Sequence, residues 1–304
     1  MENEPVGHTP VLPRQVLELL PIEGGQTIVD ATIGLGGHAS LFAARLGAQG
    51  TLVGLDVDPL NLEAARRRLA GCTCHVELVQ ANFVELPAVL DSLGVAGADV
   101  LFADLGVSST QLDDGARGFS FQRDGPLDMR MDPRLGVSAA DLVNRLKERE
   151  LGDLIWSNAQ EPGGRQIARR ICEVRREGRI TTTGRLSQVV ADALHVDPRS
   201  RASRIHPATR TFLALRMAVN REMECLSAFL AAAPAVLNTG GRIGVIAFHS
   251  AEDKVVKTDF RRRKNENIYA VVTAKPMVAD AEERNSNPRA RSAKLRVAVR
   301  LPKE

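Results

Sequence analysis

The stretch Thr27-Ile28-Val29-Asp30-Ala31-Thr32-Ile33-Gly34-Leu35-Gly36-Gly37-His38-Ala39 decides the fold. A short β-branched run ends on an aspartate and a glycine-rich turn follows. His38 to Leu46 then reads as a helix that stops at Gly47. Glycines at such a turn let the backbone come close to a ligand, and the first turn of the helix favours a negative group. Gly34, Gly36 and Ala39 fit a G-x-G-x-x-A pattern, and Asp56 lies twenty residues beyond Gly36, where an acid accepts ribose hydroxyls. Taken alone, the motif suits a nicotinamide dinucleotide. Asp30 opposes that reading, because a carboxylate four positions before Gly34 repels a pyrophosphate. The same carboxylate attracts the ammonium and sulfonium of S-adenosylmethionine, whose own carboxylate suits the N–H groups of the turn.

Outward from this turn, strands are expected at 27–30, 51–56, 76–79 and 99–104, with helices over 38–46, 60–69 and 83–93. Such alternation predicts a parallel sheet with helices on both faces. Asn82-Phe83 follows the third strand, where an apolar ring covers a base and a polar neighbour meets its edge. From 111 to 211 the pattern is helical, polar and Arg-rich, without a convincing strand. The chain therefore divides into a cofactor-binding domain of 1–110 and 212–304 and an inserted, mostly helical domain of 111–211. One or two helices over 212–237 end at the turn Asn238-Thr239-Gly240-Gly241. A fifth strand is expected at 242–248 and a helix at 250–264. Strands at 269–273 and 295–301, joined by a polar loop, predict an antiparallel hairpin. A mostly parallel sheet closed by a hairpin is the α/β, Rossmann-like pattern of class I S-adenosylmethionine-dependent methyltransferases. A dinucleotide fold would continue with a helix.

Composition narrows the classes. The 304 residues are 44% hydrophobic and 25% charged, a globular balance, and no fixed-period repeat is present. No apolar run reaches the ~18 residues that span a bilayer. The start Met1-Glu2-Asn3-Glu4-Pro5 resembles neither a signal nor a transit peptide, so the expected compartment is the cytoplasm, with no membrane partner. Four cysteines are no disulfide framework, and Cys72-x-Cys74-His75 lacks a second ligand pair, so no metal is expected. The net charge of +3 conceals a split. Residues 1–110 hold 5 Lys/Arg against 13 Asp/Glu, whereas 111–220 hold 19 against 14 and 255–304 hold 13 against 6. An acidic first third followed by basic segments points to a catalytic part and a polyanion-facing part.

The run Asp104-Leu105-Gly106-Val107-Ser108-Ser109 continues through Gln111-Leu112-Asp113, Arg117-Gly118-Phe119-Ser120-Phe121 and Asp124-Gly125-Pro126-Leu127-Asp128-Met129-Arg130-Met131-Asp132-Pro133. It resembles the RsmH/MraW family of bacterial small-subunit (16S) ribosomal RNA cytosine-N4 methyltransferases. The stretches His8-Thr9-Pro10-Val11-Leu12, His206 to Phe212, Val219 to Glu222, Phe248 to Asp253 and Asn287 to Arg296 agree, in order along nearly the whole chain. The resemblance implies transfer of a methyl group from S-adenosylmethionine to N4 of a cytidine in the decoding centre. The implied partner is 16S rRNA within the small ribosomal subunit. It further implies cofactor contacts at Gly36, Gly37, His38, Asp56, Phe83, Asp104 and Gln111, with His38 acting through its backbone. Asn158-Ala159-Gln160-Glu161 departs from the Tyr-Gly-Glu-Glu that opens a helix in many relatives, the segment between Arg263 and Lys275 is shorter than in many of them, and Ala251 stands where Leu is usual. A homodimer is compatible with this reading, and the residues leave the oligomeric state open.

The exocyclic amine of cytosine is a poor nucleophile, so such an enzyme must accept a hydrogen bond from it and hold it in line with the methyl group. Asp104 ends the fourth strand and can face either the amine or the cofactor; Asp113, Asp114 and Asp128 are second candidates that better suit loop caps or ion pairs. No strong base is needed, because the methylated cation loses its proton readily. RNA contacts are expected from Arg204, His206 and Arg210 around Pro207, from Arg289 and Arg291 beside Lys294 and Arg296, and from the cluster Arg261 to Lys264. With only 4% aromatics, an extended base-stacking platform is not expected. The competing readings are an RNA-binding assembly factor that retains the cofactor fold, a nicotinamide dehydrogenase, and a DNA cytosine-N4 methyltransferase. The last lacks its usual Pro-Pro motif here.

Overall fold

The computed structural model describes residues 9–196 and 206–302. They form two compact units: Met1–Gly106 with Met223–Glu304, and Val107–Glu222. The helical unit is longer at both ends than the expected 111–211. Its core takes Phe212, Leu215 and Val219 from the helix Thr209–Val219, and Val107 and Leu112 pack on it.

The first unit is built on one sheet. Its strands are β1 (Thr27–Asp30), β2 (Thr51–Asp56), β3 (His75–Gln80), β4 (Ala98–Asp104), β5 (Leu237–Ala247), β6 (Tyr269–Val271) and β7 (Lys294–Arg300). Their order is β3-β2-β1-β4-β5-β7-β6. Neighbours from β3 to β5 are parallel, whereas β7 runs antiparallel to both β5 and β6. This is the parallel sheet with a closing hairpin that the sequence predicts. The order reverses between β1 and β4, and in open α/β sheets ligands bind beyond the carboxyl ends of the strands at such a reversal.

Side chains alternate between the two faces of a strand. Ile28, Leu52, Val100 and Phe102 enter one core with Phe42 and Leu46 of the helix Gly37–Leu46. Val29, Val53, Leu101 and Ala103 enter the other with Phe229 and Leu230 of the helix Glu222–Val236. Both faces are therefore covered, and the strands read as nearly continuous apolar runs.

Three local features depart from expectation. A helix at Pro13–Leu19 was not signalled: its seven residues are too few to show a period, and Pro13 sits at its first turn. The Asn238–Gly241 turn lies inside β5 as an irregularity, since Ala98 pairs with Leu237 and Val100 with Arg242. The polar loop before β7 contains a short helix, Ala281–Ser286, and a 3-10 turn, Pro288–Arg291.

The helical unit has its own core, including Leu151, Ile155, Ile167, Ile171, Leu186 and Val190. Of the one or two helices expected over 212–237 the structure has two, Thr209–Val219 and Glu222–Val236, because the chain breaks at Asn220-Arg221. There Asn220 donates to the Met129 and Arg216 carbonyls and accepts from the Met131 N–H. No helix among the described residues is long and apolar enough to cross a membrane.

Candidate active site

The carboxyl ends of β1, β2 and β4 bring three aspartates to one edge of the sheet. Asp30 is 1% exposed, and burial pushes its carboxyl up to about 7, against a lowering contribution from the Thr32 N–H. Asp56 is raised to about 6, again chiefly by burial. Asp104 is raised by burial and then by the charges of Asp30 and Glu252, while Arg289 acts in the opposite sense. The Asp104 Oδ1 atom is shut off from solvent and takes no hydrogen bond among the described residues. Several acids placed where charge is costly are what a bound cation offsets.

Between β1 and the helix Gly37–Leu46 runs the glycine turn. Its backbone is tied down: Ala31 N donates to the Phe102 carbonyl at 2.8 Å, Ile33 N to Leu55 at 2.8 Å and Gly36 N to Ile33 at 2.8 Å. The Thr32 hydroxyl accepts from Asp104 N at 2.7 Å, which couples the turn to the end of β4. Gly36 adopts φ +77°, and a methyl there would lie 3.3 Å from the Ala65 Cα, so both conformation and space select glycine. The helix has no side-chain cap, which leaves its first-turn N–H groups available for an anionic group.

Asp56 does more than the sequence showed. Its Oδ1 accepts from Asp58 N at 2.8 Å, and its Oδ2 accepts from Gly34 N at 2.9 Å and Asn61 Nδ2 at 3.2 Å. It fastens the glycine turn to β2 and keeps acceptor capacity for a hydroxyl, since a carboxylate offers about four lone-pair sites. Phe83 packs edge-on against Phe229 at 5.3 Å and is half-buried, with part of its ring outside the core. Asn82 is committed locally: its Oδ1 caps Val84 N at 3.1 Å and its amide lies 3.8 Å from Cys225 Sγ. Its side chain is therefore a turn cap rather than a ready contact for a base edge. Together, the open helix start, the buried acids and the half-exposed ring fit S-adenosylmethionine, whose carboxylate, cationic groups and adenine each find a matching surface.

The remaining expected residues are dispersed. Gln111 belongs to the helical unit, where it is buried and closes a capping box with Ser108. Asp114 caps Ala116 N, and Asp128 forms a two-pronged ion pair with Arg130 at 2.7 Å, so both serve loops. Arg204 lies outside the described residues. His206 packs at a tilt against the Phe121 ring at 4.4 Å, accepts from Ala208 N and is pushed toward neutrality by burial. Arg210 is 51% exposed and 3.8 Å from Glu161. Arg291 is exposed and donates to the Arg284 carbonyl, whereas Arg296 is buried in an ion pair with Asp253 at 2.7 Å. Arg289 acts electrostatically on Asp104, which places it near the strand ends rather than in a separate basic cluster. Sequence reading also missed Glu252, which is buried, accepts from the Phe248 and His249 N–H groups, and is held there by the start of the helix Ser250–Asn265. Its signal was the stretch Phe248 to Asp253, which carried the resemblance without suggesting a role.

Comparison with known proteins gives a consistent match over the whole chain. The model of the MraW methylase family matches residues 5–301. Ribosomal RNA small subunit methyltransferase H of Acidobacterium capsulatum is 46% identical over 302 residues, spanning 98% of this chain and 99% of that protein. The protein of the same name from Koribacter versatilis is 45% identical over 305 residues, spanning 98% and 95%. Among solved structures, TrmN from Thermus thermophilus aligns with 95% of this chain and 48% of its own at 13% identity and a TM-score of 0.46, too loose a likeness to carry an argument.

Proposed function

The chain belongs to the MraW methylase family, and on that premise we propose that it transfers the methyl group of S-adenosylmethionine to N4 of a cytidine in the decoding centre of 16S ribosomal RNA. The observation that carries this reading is the pair of carboxylates, Asp30 and Asp104, at the ends of adjacent strands beside the glycine turn. Bound S-adenosylmethionine supplies a methyl group activated by its positive sulfur.

The residues of the chain do the rest. Asp30 offsets the cofactor's positive charge, Asp56 accepts from a ribose hydroxyl, and Phe83 covers the adenine with its exposed face. The N–H groups of Gly37 and His38 hold the cofactor's carboxylate. Gln111 is the remaining cofactor contact of this reading. Asp104 accepts a hydrogen bond from the exocyclic amine, which orients the amine lone pair, and takes the proton released after transfer. Holding reactants in line is worth up to ~7–11 kcal/mol, so positioning rather than a strong base supplies the rate. The helical unit recognises RNA through its surplus of arginine, with Arg204, His206 and Arg210 near its end and Arg289 and Arg291 on the other unit. The compartment this reading requires is the cytoplasm.

The test is to supply labelled S-adenosylmethionine and small ribosomal subunits lacking the modification, then identify the labelled nucleoside by mass spectrometry. Label on N4-methylcytidine is expected. Label on another nucleoside would reassign the acceptor. Donor binding without any label would leave an RNA-binding assembly factor as the better account.

A further inference from the structure

We propose that Trp156 is a stacking site for one unpaired base of the RNA substrate; the identity of that RNA rests on the reading above. Trp156 is the one tryptophan of the sequence, and it lies in the helical unit. Tryptophan is buried in most folds, yet this residue is 57% exposed. The helix Glu148–Ala159 gives Leu151, Gly152 and Ile155 to the core. Trp156 follows the fully buried Ile155 and is turned about 100° further around the helix, away from that core. A polar side chain would satisfy such a position. An indole there leaves a broad π-face in water.

The surroundings of that face are basic. Gly152 stands one turn before Trp156 and lets the helix Gly164–Val174 come close. A methyl at Gly152 would lie 3.5 Å from the Arg165 Cα and 3.6 Å from its Cγ, so the Arg165 stem lies against this turn. Arg165 is exposed and forms no ion pair among the described residues. Arg149 precedes Trp156 by seven residues, which puts both on one stripe of the helix, and its side chain is 93% exposed. Asp153 lies between them and is 3.8 Å from Arg149. Glu148 and Glu150 belong to the first turn, about 9 Å or more along the axis from Trp156. Two guanidiniums against one carboxylate therefore flank the ring. Past the helix end, Glu161 is 3.8 Å from Arg210, a residue already assigned to RNA.

An exposed indole beside cations matches single-stranded nucleic acid, which offers a base for the ring and phosphates for the guanidiniums. In a duplex the faces of the bases are already stacked on one another, so the contact selects an unpaired nucleotide. The centre of an interface with a second copy of the chain would instead be poor in charge. A single ring takes a single base, in keeping with the scarcity of aromatics in the sequence.

Because the tryptophan is unique, the emission of the full-length protein reports this site alone. Titration with small-subunit RNA should quench it in step with binding measured by filter retention. The single-stranded form of a short RNA oligonucleotide should quench it, and the duplex form should not. Trp156→Ala should weaken single-strand binding about tenfold at every salt concentration and leave the salt slope unchanged, whereas Arg165→Gln should lower the slope by about 0.7. Trp156→Phe keeps a π-face and should recover most of the affinity. RNA binding without quenching, equal quenching by the duplex, or a Trp156→Ala protein that binds as tightly as the wild type would overturn the proposal. If Trp156→Ala does not fold by circular dichroism, the wild-type titration decides. Emission that shifts with protein concentration in the absence of RNA, with a dimer that Trp156→Ala dissociates, overturns it in favour of a second copy. N4-methylcytidine formed by a protein whose indole stays unquenched overturns this inference alone. Quenching by single-stranded RNA without any N4-methylcytidine overturns the methylation reading alone.

Discussion

Asp30 is nearly enclosed, so its charge is costly in the free protein and useful only beside a cation. Its carboxyl titrates at about 7 and that of Asp56 at about 6, against about 3.9 in an unfolded chain. Between pH 4 and 7 the folded state therefore holds protons that the unfolded state has released. These two groups favour folding as the pH falls through that window and oppose it above pH 7. A cationic donor selects the ionised forms, so its affinity should rise with pH through 6–7 and then level off. Asp30→Asn should weaken donor binding about tenfold at pH 8 and flatten that rise, while lifting the thermal midpoint at pH 8 by a few degrees and leaving it nearly unchanged at pH 5. Titration and scanning calorimetry at both pH values check this; a variant that loses affinity equally at each and gains no stability at pH 8 refutes it. The placement of Asp30 and Asp56 at strand ends beside the glycine turn was legible, because a short β-branched run ends on each of them. The double duty of Asp56 was not, because it depends on which N–H groups the folded turn directs toward it. A role for Glu252 was not legible for the same reason: its surroundings are assembled from β5 and the helix after it, far along the chain from Asp104.

Elements follow their periods more faithfully than loops do. β1, β2 and β4 were readable because alternate residues enter two different cores, which forces continuous apolar runs. The irregularity in β5 was not, since Asn238-Thr239-Gly240-Gly241 has the composition of a turn and only the pairing of Ala98 with Leu237 keeps it in the sheet. In the helical unit, the segment from Arg117 to Met131 has almost no period and is held by side chains instead. Arg117 donates to the carbonyls of Arg130 and Met131, and Asn220 clasps Met129 and Met131. Gly118 is the point where that segment tolerates nothing larger. It has φ +73°, and a methyl would overlap the Pro126 carbonyl oxygen and lie 2.6 Å from the Asp128 N, both backbone atoms that cannot swing aside. Gly118→Ala should therefore destabilise the protein by about 2–4 kcal/mol, combining left-handed strain with overpacking. Urea unfolding measures this; a loss below about 0.5 kcal/mol would mean that the loop can rearrange at little cost.

At the scale of the whole chain, charge divides by unit. The sheet unit holds 20 Lys/Arg against 22 Asp/Glu, and the helical unit 20 against 15. That asymmetry was visible in the sequence, but the free arginines within it were not. Arg175 is used on the carbonyls of Val143 and Leu146, Arg210 faces Glu161 and Arg169 faces Glu173. Arg165, Arg176 and Arg185 are exposed and form no ion pair among the described residues, so each is free to release counterions from a polyanion. Each contact to single-stranded RNA contributes about 0.7 to the slope of log affinity against log salt, so three contribute about 2. Between 50 and 200 mM salt that is roughly a 20-fold change in affinity. Replacing all three with Gln should flatten the slope for small-subunit RNA by about 2 and leave donor affinity unchanged, because Asp30, Asp56 and Asp104 belong to the other unit. Filter binding across a salt series, with donor dialysis as the control, separates the cases. An unchanged slope would remove these three arginines from the RNA-facing surface and leave Arg204, His206 and Arg210, with Arg289 and Arg291 of the sheet unit, to supply the attraction.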